Sequence, residues 1–236
     1  GVSQKVMDRY ADWIRDNDHV DGGILPPPVT EFCMAKGDYD PHGRIVVGWM
    51  GRPLEDKGLM TLPYLLAENP RIVVRAWTGA ETAGLDYTLR VQGEAMEAVM
   101  KLARKLGVED RLDIRPLDFN ALSYRHRLDG CHVLLGNSRK EGFLLTAAEA
   151  LSCGIPVVVT KTCGIADFIK NGQNGYLIDW NDNPRRLAKV AHRAVLKAVK
   201  LDAVKCLASV DQLSLGSGYA GAYRPALAGL THTGLQ

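Results

Sequence analysis

The chain has 236 residues, 46% hydrophobic and 24% charged, enough for one sizeable domain or two small ones and ordinary for a soluble globular protein. Lys and Arg number 29 against 27 Asp and Glu, a formal charge of +2, so bulk charge makes no case for nucleic acid. Five cysteines, odd in number and without C-x-x-C spacing, argue against a disulfide framework or a thiolate zinc site and fit a reducing, cytoplasmic compartment. No secretory signal or membrane-spanning run is visible, and a chain starting at Gly1 rather than Met points to a trimmed or replaced N-terminus.

In chain order, residues 4–16 read as a helix with Val6, Met7, Tyr10, Trp13 and Ile14 on one side. Residues 17–23 are a loop, and residues 23–29 a short strand ended by prolines. The first convincing strand is Arg44-Ile45-Val46-Val47-Gly48-Trp49-Met50. It runs into Gly51-Arg52-Pro53-Leu54-Glu55-Asp56-Lys57-Gly58, and a helix over 59–68 follows. Residues 71–77 form a second strand, and residues 78–92 read as a hairpin or loop insertion. A helix over 94–106 carries the stripe Met96, Val99, Met100, Ala103 and Leu106, and Gly107 ends it. A third strand (111–115), a short helix (120–128) and a fourth strand (131–135) come next. His132 reads as a histidine at the core's edge rather than a catalytic one.

The loop Gly136-Asn137-Ser138-Arg139-Lys140-Glu141-Gly142-Phe143 leads to a helix built on Leu145, Ala148, Glu149, Ala150 and Leu151. Cys153-Gly154 stops that helix, with Gly154 suited to a left-handed position. Val157-Val158-Val159 then reads as a strand buried on both faces. Two glycine-bearing turns, 163–169 and 171–175, precede a last strand near Tyr176-Leu177-Ile178. From Pro184 to about Ala208 a long basic helix is expected, its charges a solvated face or, alternatively, a contact with an acidic lipid surface. Residues 209–236 are a Gly- and Ala-rich tail. Its G-x-G-x-x-G match at Gly216, Gly218 and Gly221 carries no weight, because no strand precedes it.

Strands alternating with helices from residue 44 to 178 predict an α/β domain. Its parallel sheet would carry helices on both faces and bind ligands at the carboxyl ends of its strands. The 51–58 and 138–144 loops both follow strand ends. Two carboxylates, Glu141 and Glu149, bracket the helix. Treated as helix, eight residues rise roughly 12 Å, which suits an elongated ligand better than two acids about 5 Å apart across one bond. Between them lie the free first-turn amides near Leu144 and Leu145, a seat for phosphate. Arg52 and Lys57 add a guanidinium fork and a point charge, suited to a leaving group that gains negative charge in the transition state. Taken singly, each acid reads as a cap or a solvated group, and the Arg and Lys as a solvated turn.

Together these segments resemble the donor-binding motifs of retaining glycosyltransferases of the GT-B fold, the family-four type. The family's E-G-F-G, L-E-A and C-G-x-P-V-V stand here as Glu141-Gly142-Phe143-Leu144, Ala148-Glu149-Ala150 and Cys153-Gly154-Ile155-Pro156-Val157-Val158, with the E-x7-E spacing kept. The G-R-L-x-x-x-K-G turn is similar to residues 51–58. Leu144 replaces the second glycine, and Gly136-Asn137-Ser138 departs from L-P-S. The resemblance implies a Rossmann-like domain at 42–208, the C-terminal half of a GT-B fold, with residues 1–41 as interdomain linker. It implies Arg52, Lys57 and Glu141 as catalytic residues, the two cations on the diphosphate and Glu141 on the donor sugar. Gly51, Leu144, Leu145 and Thr146 would then complete the phosphate seat, and Glu149 would hold the ribose. It implies no metal and no cofactor beyond a nucleotide-diphosphate sugar as donor substrate. The acceptor domain would be supplied elsewhere in the same or a separate chain. Two rivals are a non-catalytic binding or assembly module and a dinucleotide-dependent oxidoreductase, the latter lacking a glycine fingerprint after the first strand.

Overall fold

The computed structural model describes residues 39–78, 86–116 and 127–210. The expected helix at 4–16, the strand at 23–29, most of the helix at 120–128 and the tail from 211 lie outside the described residues.

Six strands form one sheet: β1 (Ile45–Met50), β2 (Ile72–Thr78), β3 (Leu112–Pro116), β4 (Val133–Gly136), β5 (Val157–Thr160) and β6 (Gly175–Ile178). Their order is β3-β2-β1-β4-β5-β6, and every pairing is parallel. This is the Rossmann-like α/β architecture that the alternation predicts. Val47 of β1 faces Val74 on one side and Val133 on the other, which fixes the central register.

Strand side chains alternate between two cores. Ile45, Val47, Trp49, Val133, Leu135 and Val158 point into one, where α1 (Thr61–Glu68) and α4 (Pro184–Ala198) pack against each other and the sheet. Met50, Leu134, Val157 and Val159 point into the other, under α3 (Leu145–Ser152) and α5 (Ala203–Ala208). Both faces are therefore covered, which is why β4 and β5 read as unbroken apolar runs.

Two expectations need correction. The insertion expected at 78–92 is in part helix, because α2 runs Asp86–Lys105, eight residues earlier than its apolar stripe suggests. Gly93 lies inside that helix. Glycine weakens a helix by about 1 kcal/mol relative to alanine but does not stop one. It is exposed, and a Cβ there meets nothing within 4 Å. Gly93→Ala should accordingly raise stability by about 0.5–1 kcal/mol in urea unfolding.

The long basic helix is two helices. α4 ends at Ala198, and α5 starts after Asp202, whose side chain accepts from the Val204 amide at 2.8 Å. The physical reason is the change of core. Leu187, Ala191 and Val195 serve the first core and Cys206 the second, so the chain must turn between them. The start of α4 is as expected. Pro184 takes the first helical position, and Asn183 caps the Arg185 and Arg186 amides. Its basic residues Arg185, Arg186, Lys189 and Arg193 are exposed.

Candidate functional site

The strand order reverses between β1 and β4, and a crevice opens outside the carboxyl ends of the strands at such a point. The loops that leave these two strands are 51–58 and 137–144. Both belong to the expected site.

The 51–58 loop closes with a 3₁₀ turn, Glu55–Lys57, capped by Gly58 at φ 73°. It is stitched to the second loop by a backbone hydrogen bond, the Arg139 amide donating to the Asp56 carbonyl at 2.6 Å. Asn137, wholly buried, accepts from the Trp49 indole and donates to the Gly58 carbonyl, each at 2.9 Å. The second loop is pinned from its far side as well. Thr160 donates to the Ser138 carbonyl at 2.6 Å, and the Gly164 and Ile165 amides donate to the Glu141 and Phe143 carbonyls at 3.1 and 2.9 Å.

Within this frame Lys57 Nζ meets Glu141 Oε2 at 2.6 Å, with the lysine side chain only 12% exposed. Two residues 84 apart in sequence thus form one cation–acid pair at the crevice. Arg52 sits on the same turn but is exposed to solvent. Gly51 is half-buried and hydrogen-bonds to the Trp77 carbonyl of the neighbouring strand's end.

Leu144 sits at the N-terminus of α3 with φ 77°, the one non-glycine in the left-handed region among the described residues. The helix therefore keeps the backbone that a glycine would supply, at a cost of about 1–2 kcal/mol. Burial of the Leu144 side chain beside Gly136 offsets this. A Cβ on Gly136 would fall 2.3 Å from Leu144 Cδ2, so the leucine fits because Gly136 has no side chain. No side chain caps the helix start. The first-turn amides of Leu145 and Thr146 have no intrahelical acceptor, which leaves a positive pole toward the loop. Leu145 itself is exposed and Thr146 half-buried.

Glu149 lies on α3 within the second core and is buried. Its carboxylate is held by the guanidinium of Arg127, also buried. Arg127 Nε donates in addition to Met50 Sδ, at the end of β1. Because α3 starts only at Leu145, the first half of the Glu141–Glu149 spacer is loop, and a helical rise does not measure their separation.

Arg127 and Asn137 are the polar residues that the sequence reading missed. Asn137 had one usable signal: it is a polar residue following at once on the apolar strand Val133–Gly136. His132 stands where it was expected, at the core's edge. It is buried, and its Nδ1 accepts from the Val46 amide at 2.9 Å. Burial pushes the Cys131 thiol up to about 12 and the Cys153 thiol up to about 11, so neither supplies a thiolate nucleophile near neutral pH. Among the described residues no group of His, Cys, Asp and Glu could hold a metal ion, and no helix is long and apolar enough to cross a membrane. A cleft of about 610 Å³, lined by Asp56, Met60, Arg139, Trp180, Asp182 and Leu187 among others, adjoins the same turn, but neither Lys57 nor Glu141 lines it.

The profile of the family described as glycosyl transferases group 1 matches residues 63–203. A D-inositol 3-phosphate glycosyltransferase of Streptomyces bingchenggensis is 34% identical over 142 residues, covering 57% of this chain and 28% of that protein. Sucrose-phosphate synthase from Thermosynechococcus elongatus superposes with a TM-score of 0.75 at 18% identity, over 98% of this chain and 58% of that one. Anabaena Alr3699/HepE, solved in complex with UDP-glucose, gives 0.62 at 18% identity, over 78% and 49%. At these identities the structural likeness bears on the fold alone, a half of the GT-B arrangement. The chain spans less than half the length of the curated relatives it matches, 28% of one and 46% of another.

Proposed function

This chain belongs to the glycosyl transferases group 1 family, and from that premise we propose that it is the nucleotide-sugar-binding half of a retaining glycosyltransferase. The observation that carries the reading is the meeting of Lys57 and Glu141 at 2.6 Å where the strand order reverses.

A nucleoside diphosphate sugar lies across the N-terminus of α3 in this reading. The first-turn amides of Leu145 and Thr146, the Thr146 hydroxyl and the backbone at Leu144 receive the phosphates, and Gly51, its amide committed to the Trp77 carbonyl, borders the seat without a side chain. Lys57 and Arg52 face the diphosphate. As the bond from the anomeric carbon to the diphosphate oxygen breaks, negative charge grows on the leaving group. Fixed cations stabilise that charge more than they stabilise the ground state. In the free protein Glu141 compensates the charge of Lys57. When the diphosphate takes over that role, the carboxylate is released to accept hydrogen bonds from the sugar's hydroxyls. Glu149, oriented by Arg127, accepts from the ribose hydroxyls. The acceptor domain is supplied by the rest of a longer chain or by a partner. HepE's complex with UDP-glucose makes uridine the first base to test.

Calorimetric titration of UDP, GDP and ADP into wild type and Lys57→Ala tests the assignment. One charge-assisted contact is worth about 1.5–3 kcal/mol, so the variant should bind its nucleotide about 10- to 150-fold more weakly. Equal heats from both proteins would remove the phosphate role of Lys57.

A further inference from the structure

We infer that Asn137 is a positioning residue for the anion site: its carboxamide holds the Lys57 turn at a fixed distance from the Glu141 loop, independently of the ion pair between them. This rests on the diphosphate reading above.

The carboxamide is wholly buried and uses both of its ends across elements. Oδ1 accepts from Trp49 Nε1, one residue from the end of β1, and Nδ2 donates to the carbonyl of Gly58, the residue after Lys57. The orientation is chemically fixed. An indole N–H only donates and a backbone carbonyl only accepts, so a flipped amide would set like against like at both ends. Asn137 itself opens the loop that carries Glu141. One side chain therefore spans β1, the Lys57 turn and the Glu141 loop.

The links between the two loops include the Asn137 carboxamide to the Gly58 carbonyl, the Arg139 amide to the Asp56 carbonyl, and the Lys57–Glu141 pair. The third is the one an incoming anion must loosen, because Lys57 then turns its charge to the ligand. At that moment the remaining two have to hold the turn, or binding energy is lost to ordering it. Of these two, only the Asn137 link belongs to a side chain. Its removal also leaves a buried indole N–H without its partner, while the Gly58 carbonyl keeps only the Thr61 amide at 3.0 Å.

The test is UDP affinity by calorimetry in a double-mutant cycle of Asn137→Asp with Lys57→Ala, with circular dichroism on each protein. Aspartate keeps the volume and the acceptor for Trp49 but cannot donate to the Gly58 carbonyl. Asn137→Asp should bind UDP about tenfold more weakly, while on the Lys57→Ala background the same change should cost less than twofold. A purely structural asparagine would give equal losses on both backgrounds, and that result overturns the inference, as does wild-type affinity in Asn137→Asp. Should Asn137→Asp not fold, Trp49→Phe removes the indole donor together with part of a buried ring, and unchanged affinity there overturns it equally. If wild type binds no nucleotide, or if Lys57→Ala matches wild type, the diphosphate reading fails and takes the inference with it. If only the asparagine variants behave like wild type, the diphosphate reading stands and the inference alone is lost.

Discussion

Arg127→Met is expected to destabilise the protein by about 3–5 kcal/mol, read as a shift of the urea midpoint, because it removes the guanidinium that holds a buried carboxylate in the second core. Glu149 is 8% exposed and Arg127 5%. Their ion pair joins α3 to the segment that precedes β4, and the Met50 contact ties both to the end of β1. Coulomb attraction in such a place is largely cancelled by the desolvation of the two ions, so the intact pair stabilises little. Removing one partner keeps the desolvation and loses the attraction. Against a typical total stability of 5–15 kcal/mol the loss is large. Replacing both residues, Arg127→Met with Glu149→Leu, should cost much less than the single change, since neither buried charge remains. The double variant also separates folding from binding: stability should return while affinity for UDP does not, because Glu149 is the proposed ribose ligand. A loss under about 1 kcal/mol in Arg127→Met would show that water or another group compensates Glu149, and the core placement of the pair would need revision.

That pair also marks how far the sequence can be read. The sheet and the loops at its strand ends were legible, because β-branched runs and helical stripes are local signals. Leu145 to Leu151 and Val157 to Val159 fold as their patterns indicate. Partners brought together by topology leave no local trace. Arg127 is 22 residues from Glu149, and Asn137 is 79 and 88 from its two partners. Each looks like an ordinary loop or helix polar group until the strand order is known. The break after α4 was illegible for another reason. The run is helical in composition on both sides, and what stops it is the passage from one core to the other, with Asp202 taking the cap. Leu144 shows the limit of substitution logic: the change from glycine preserved the backbone conformation, since Gly136 makes room for the side chain.

Gly58→Ala is expected to cost about 2–5 kcal/mol, and Gly142→Ala within about 0.5 kcal/mol, although both glycines stand in the segments that mark the site. At Gly58 two penalties coincide. Its φ of 73° is left-handed, worth about 1–2 kcal/mol against any residue with a Cβ. That Cβ would also lie 2.4 Å from the Asn137 carbonyl oxygen and 2.5 Å from its Nδ2. The obstructing atoms are backbone and a fully engaged carboxamide, so relief must come from moving one loop away from the other. This movement opens the Lys57–Glu141 pair, and nucleotide affinity should fall together with the thermal midpoint. At Gly142 a Cβ meets nothing within 4 Å, and the residue is outside the left-handed region. If Gly142→Ala proved the more damaging to UDP affinity while leaving the midpoint unchanged, the ligand itself would fill the space beside Gly142, and close approach to ligand rather than loop-to-loop contact would govern the choice of glycine there.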